Sequence, residues 1–344
     1  VSQAAPAWVN VLPDEDYQHS FGLKAGSAEK FFAPTERHAE LLAQRRHWLR
    51  SDTARCAALL PAAEPLLEEA IALAVKWNSL PGTAGLTAAA LHQAAVLPHP
   101  GPLPLGEGAA TGARRGTTSA GSASALADGP PLPAGEGRGE GESARHTEGF
   151  QQDFKAAPFA RCLALGEFWE PDYLLLKPDA VTGRFHLVGG CVCFPSSWRF
   201  EEKVGKPLEV IHTPVPHLND QLASPIHNFL GRIKPGAAWC RANWGLSRSP
   251  ELNQHPARGL PKLVPPLRED EVWLRVEDQA LVALLESRGV LFGIRMTVIP
   301  LAEVKRHPAA ARGLARALRT MPDAMLDYKS LLAAKGELVR LLEA

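Results

Sequence analysis

The chain has 344 residues, 45% hydrophobic and 22% charged, enough apolar material for one large domain or two ordinary ones. Lys plus Arg number 37 and Asp plus Glu number 37, so the formal net charge is zero. That balance lacks the basic footprint of a dedicated nucleic-acid binder, and no apolar run reaches the length of a membrane span. Asp14, Glu15 and Asp16 stand where a secretory leader needs a basic start and an apolar middle. The five cysteines (Cys56, Cys162, Cys191, Cys193 and Cys240) are too scattered and too odd in number for a disulfide framework. The expectation is a cytoplasmic protein with neither a nucleic-acid nor a membrane partner.

Residues 27–78 read as helical. Glu36 to Leu49 carries apolar positions three and four apart, and Asp52 is placed to cap a short second helix through Leu60. Pro65 suits the first turn of a third helix, Leu66 to Trp77. Composition then changes. From Asn78 to Gly149 there is no Phe, Tyr or Trp, while Gly, Pro, Ala and Ser dominate. Pro102-Leu103-Pro104-Leu105-Gly106-Glu107-Gly108 recurs as Pro131-Leu132-Pro133-Ala134-Gly135-Glu136-Gly137. A segment so poor in large apolar groups cannot offset the entropy of its own ordering, and it reads as a disordered, inserted repetitive element.

Beyond Phe150 the pattern is of strands and helices. Tyr173 to Lys177 and Phe185 to Phe194 flank Thr182-Gly183-Arg184, a hairpin signal. Further strands are expected at Ala237 to Trp244, Val272 to Val276 and Val290 to Ile299. Helices are expected at Leu218 to Ile233, Asp278 to Ser287, Ala309 to Thr320 and Asp323 to Leu342. The fold class is therefore α+β with a mainly antiparallel sheet and flanking helices. The expected parts are an N-terminal helical part (1–85), the insert (86–149), the core (150–305) and C-terminal helices (306–344).

No Gly-x-Gly-x-x-Gly opens a strand–helix unit, Gly205-Lys206 lacks the upstream glycine of a phosphate loop, and no Cys-x-x-Cys pair exists. Nicotinamide, flavin and iron–sulfur sites thus have no recognisable device here. Cys191 and Cys193 alternate onto one strand face and read as core. Pro214 and Pro216 restrict the backbone just beyond His212, which suits either an axial iron ligand or a hydrogen-bonded structural histidine. Arg241 and Asn243 share a strand face beside Trp239 and Trp244, and line a pocket or face solvent. Arg275 and Glu277 share another, as site residues or as a structural salt bridge. A metal hydrolase built on His212, His217 and His227 would need a tight helical spacing that ten residues between the last two do not give.

Five strings in order carry a resemblance. They are Phe194-Pro195-Ser196-Ser197-Trp198, Lys203-Val204-Gly205-Lys206, Ile211-His212-Thr213-Pro214-Val215-Pro216, Arg241-Ala242-Asn243-Trp244, and Trp273-Leu274-Arg275-Val276-Glu277-Asp278-Gln279. The chain from about Phe21 to Leu332, apart from the insert, resembles the haem-dependent oxidative N-demethylase alpha-subunit family. It departs from that pattern in the insert, at Pro171-Asp172 and at Asp278.

The resemblance implies a haem-binding Per-ARNT-Sim (PAS)-like fold holding haem b without covalent attachment. It also implies NADPH-dependent demethylation of a small secondary amine such as dimethylamine, with oxygen, giving methylamine and formaldehyde. Electrons would arrive from reductase subunits carrying FMN and a 2Fe-2S centre. By motif, His212 is the implied iron ligand, with Trp198, Lys203, Asn243 and Trp244 around the haem. Arg241 is the implied group near oxygen, and Glu277 the partner of the substrate amine. The alternative from another class is a haem-PAS gas or redox sensor without turnover. Deleting residues 98–147 is expected to leave thermal midpoint and haem content unchanged. A clear loss of either, by calorimetry or absorption, would show that the insert packs on the fold.

Overall fold

A computed structural model describes residues 5–18, 22–77, 158–216, 218–234 and 236–344. The expected insert, including Leu86 to Val96 where a short helix is expected, Phe21 and His217 lie outside those residues. Seven strands form one sheet in the order β1-β5-β6-β7-β3-β4-β2, every neighbouring pair antiparallel. They are β1 (Lys24–Gly26), β2 (Ala57–Leu59), β3 (Asp172–Pro178), β4 (Phe185–Cys191), β5 (Ala238–Ser247), β6 (Trp273–Ala283) and β7 (Val290–Pro300). The α+β expectation holds, with helices on both sides of an open antiparallel sheet.

The β3–β4 hairpin forms where its residues predict. Asp179 Oδ1 accepts from the Val181 and Thr182 amides and the Thr182 hydroxyl, and Gly183 takes φ +68. Gly190 on β4 has φ +142, and a Cβ there would meet Tyr173 O at 2.2 Å. Only glycine lets β3 close on β4 at that point.

Three helical expectations are corrected. The helix expected over Asp278 to Ser287 is instead the second half of β6 and a hairpin. Ala280 and Val282 point to one face while Gln279 and Leu281 point to the other, and β5 and β7 pair with both edges. Backbone pairing on two sides outweighs the local helix preference of Ala and Leu. The helix expected through Leu60 stops at Cys56, with no cap from the Asp52 side chain, and Ala57–Leu59 joins the sheet beside β4. The long helix expected over Asp323 to Leu342 breaks into Asp323–Tyr328 and Lys335–Glu343. Ser330, at φ +57, turns the chain between them.

Strand alternation sorts the core. Tyr173, Leu175, Val282 and Leu291 pack beneath the helices His38–Ser51 and Glu64–Lys76. On the opposite face Leu174, Leu176, Val290 and Ile294 meet Phe185, Leu187, Phe200 and Leu230. A third cluster joins Leu274, Val276 and Ile299 to the C-terminal helices, with Leu314, Leu318 and Leu338 fully buried.

One buried ion pair ties these layers. Arg45 has no solvent exposure. Its guanidinium donates to Asp172 Oδ1 (2.5 Å), Gly166 O (2.7 Å) and Cys191 Sγ (3.3 Å). Asp172 in turn accepts from the Cys193 and Phe194 amides at 2.7 and 3.0 Å. Burial raises the Asp172 carboxyl to about 6 against the opposing pull of Arg45. Replacing Arg45 by Leu leaves that carboxylate buried without a counter-charge, a loss of about 3–5 kcal/mol. The expected result is a sharply lower urea midpoint, partly restored by adding Asp172→Asn. An unchanged midpoint would show that the pair carries little of the stability.

Candidate functional site

Register brings Arg241 on β5 opposite Gln279 on β6, and Asn243 opposite Glu277, all four on one face. Arg241 Nε donates to Gln279 Oε1 at 2.8 Å, and Gln279 Nε2 donates to Glu277 Oε2 at 3.0 Å. From the other side Lys329 Nζ donates to Asn243 Oδ1 at 3.3 Å, and Asn243 Nδ2 reaches Glu277 Oε2 at 3.5 Å. Each amide accepts from a cation and so presents its NH2 to the carboxylate. The result is a carboxylate flanked by two amides, each oriented by a cation behind it. Both amides use Oε2.

His212 closes a helical turn that starts after Pro207. Its amide donates to Leu208 O at 2.9 Å, and its carbonyl accepts from the Val215 amide at 2.9 Å. Burial pushes its imidazole down to about 4, helped by Arg241 and Lys203 and opposed by Glu209. The ring is therefore neutral at physiological pH, and no hydrogen bond is made to it among the described residues. A small cavity of about 10 Å³ lies against it, lined by Phe185, Leu208, Glu209, Ile226, His227 and Leu230. Trp198 packs into the same apolar cluster, edge-on to Phe200 at 6.4 Å.

Arg241 joins the two halves. Its charge acts on His212, on Lys329 and on Tyr17, while its own proton affinity falls through burial against the pull of Glu277. A larger cavity of about 430 Å³ shares Arg241 and Gln279 with this cluster and adds Lys24, Lys30, Asp278 and Arg295 to its lining. Trp244, one residue beyond Asn243, points to the other face, packs with the C-terminal cluster and carries Lys329 Nζ 5.3 Å over its ring.

Arg275 makes no salt bridge to Glu277 among the described residues. It donates to Glu251 O (2.7 Å), Leu252 O (2.9 Å) and Ser196 Oγ (3.3 Å), which seats a loop on the sheet. Cys191 and Cys193 are buried, with sulfurs 3.9 Å apart. Sequence reasoning gave no role to Gln279 or Lys329. Gln279 was findable two residues from Glu277 on the same strand face, but nothing local marks Lys329.

Among the described residues no three His, Cys, Asp or Glu side chains are grouped to hold a metal, and no helix is long and apolar enough to cross a membrane. Compared with known protein families, residues 142–339 match the one described as haem-dependent oxidative N-demethylase, alpha subunit-like.

The state of His212 has a measurable consequence. Its folded pKa lies below the unfolded value of 6.5, so its stabilising contribution is full above pH 6.5 and is lost as pH falls towards 4. His212→Gln should remove part of the drop in thermal midpoint between pH 6.5 and 4.5. An equal drop in both proteins would mean that other groups carry it.

Proposed function

The chain belongs to the haem-dependent oxidative N-demethylase alpha-subunit-like family, and from that premise we propose that it demethylates a small secondary amine of the dimethylamine kind. The observation that carries this reading is the Glu277 carboxylate, held by Asn243 and Gln279 with Oε1 left for a ligand. A secondary amine is a cation near neutral pH, and a carboxylate is its natural partner. An amide pair fixes the carboxylate beforehand, so little ordering remains to be done on binding.

The donor chemistry suits haem. A neutral imidazole is the form that ligates iron, and His212, with no hydrogen bond to its ring among the described residues, is held in that form beside an apolar cluster. Arg241 and Lys203 supply positive charge beside it for the carboxylates of haem b. The cavity of about 10 Å³ beside His212 is smaller than a macrocycle. Bound haem would supply the oxygen and electron-transfer chemistry. Electrons would come from reductase subunits carrying FMN and a 2Fe-2S centre and drawing on NADPH.

This chain's own residues would bind and orient. Glu277 Oε1 receives the ammonium group and holds or takes its proton. Arg241 offers a permanent charge and a planar set of donors where negative charge builds on oxygen, which Lys could not reproduce. The open antiparallel sheet with its helices supports a PAS-like reading of the fold.

The purified protein is expected to show a Soret band that weakens or changes form in His212→Ala. Formaldehyde release from dimethylamine, with oxygen and an electron donor, should fall about a hundredfold or more in Arg241→Ala and in Glu277→Gln, equivalent to about 2.7 kcal/mol. Both variants should keep the Soret band. A haem-loaded, reduced protein that releases no formaldehyde from any small methylamine would instead favour the sensor.

A further inference from the structure

We propose that Lys329, acting through Asn243, is a positioning residue that holds the Glu277 carboxylate as the seat of the substrate ammonium ion. The proposal rests on the demethylase reading for the identity of that ion, but not for the geometry. Lys329 follows the helix Asp323–Tyr328, just before the turn at Ser330, and directs its Nζ at the β5 strand. There Nζ donates to Trp244 O at 2.6 Å and Asn243 Oδ1 at 3.3 Å, and stands over the Trp244 ring. Three independent contacts fix one ammonium group. Among the described residues its one side-chain acceptor is the oxygen whose partner nitrogen faces Glu277.

This contact decides which way the Asn243 amide points. With an ammonium at Oδ1, the Nδ2 group must face Glu277 and donate. Without it, Glu277 alone orients the amide, and the Nδ2 donation is held less firmly. Glu277 would then keep Gln279 as its one firmly directed donor among the described residues. Arg241 plays the corresponding part through Gln279, so the two cations bracket the carboxylate without touching it.

The charged and titratable groups facing Lys329 among the described residues are Glu277 on β6, Arg241 on β5, and Tyr328 on its own helix, with Tyr17 beside Tyr328 and Arg241. Burial brings the Lys329 ammonium down to about 8, with Glu277 opposing and Arg241 adding to the shift. The ammonium is therefore charged at neutral pH and loses its proton within an accessible range. Arginine at the same position would keep its charge throughout.

The test uses the full chain labelled with glutamate carrying ¹³C at the side-chain carboxyl, the Glu277 signal being assigned by its disappearance in Glu277→Gln. In the unmodified protein that signal should step near pH 8, as Lys329 loses its proton. Lys329→Arg should abolish the step and keep the signal at its neutral-pH position. Lys329→Met should abolish the step and hold the signal at all pH values near the position that the unmodified protein reaches above pH 8. If Lys329→Met does not fold, the comparison with Lys329→Arg decides alone.

A Glu277 signal that has no step near pH 8, or keeps it in Lys329→Arg, would overturn the proposal. Turnover gives the second readout: the alkaline limb of kcat/KM for dimethylamine near pH 8 should vanish in Lys329→Arg. A chain that shows the carboxyl step yet demethylates nothing would remove the enzyme reading and leave the positioning of Glu277 standing. A chain that demethylates dimethylamine while Glu277 ignores Lys329 would do the reverse.

Discussion

A guanidinium with no solvent exposure stands at the junction of helix, strand and motif. Arg45 reaches the helix at Gly166, the start of β3 at Asp172 and the end of β4 at Cys191. Removing such a charge from water is costly unless its donors are all used, and here backbone, carboxylate and sulfur use them. Asp172 passes the constraint on to the Cys193 and Phe194 amides. That fixes where Phe194-Pro195-Ser196-Ser197-Trp198 leaves the sheet. Ser196 then meets Arg275 two residues from Glu277 on the same face of β6. A chain of polar contacts thus runs from the buried pair to the strand that carries the site.

The site follows the same logic with the burden reversed. On the β5–β6 face Gln279 is buried while Arg241, Asn243 and Glu277 are partly exposed, and each carboxamide is directed by a cation behind it. Two neutral amides between charges let Glu277 sit near Arg241 and Lys329 without closing into a salt bridge. A direct ion pair would have consumed the carboxylate. Both amides use one carboxylate oxygen, and among the described residues no hydrogen bond is made to the other. His212 lies under the same positive influence of Arg241, which with burial keeps its ring neutral.

How much was legible depended on range. The β3–β4 hairpin was written in Asp179, Thr182 and Gly183, because an Asx turn needs only four neighbouring residues. The shared faces of Arg241 with Asn243 and of Arg275 with Glu277 followed from a period of two. The second half of β6 was not legible, because Gln279 to Ala283 is good helix sequence until two strands pair with it. The break at Ser330 escaped for a related reason: a helix-favouring run gave no sign that Lys329 has partners on β5, more than eighty residues earlier in the chain.

The sequence by itself determined the α+β class, the strand faces and the five motifs, since composition, alternation and spacing are local properties. The resemblance carried by those motifs pointed to Arg241, Glu277 and His212. Only the tertiary structure decided what surrounds them: which oxygen of Glu277 is used, that Arg275 serves the backbone rather than Glu277, and that Lys329 closes the cluster. Hydrogen bonds have direction and a reach of about 3 Å, and which groups come within it is settled by strand register and by the packing of distant helices.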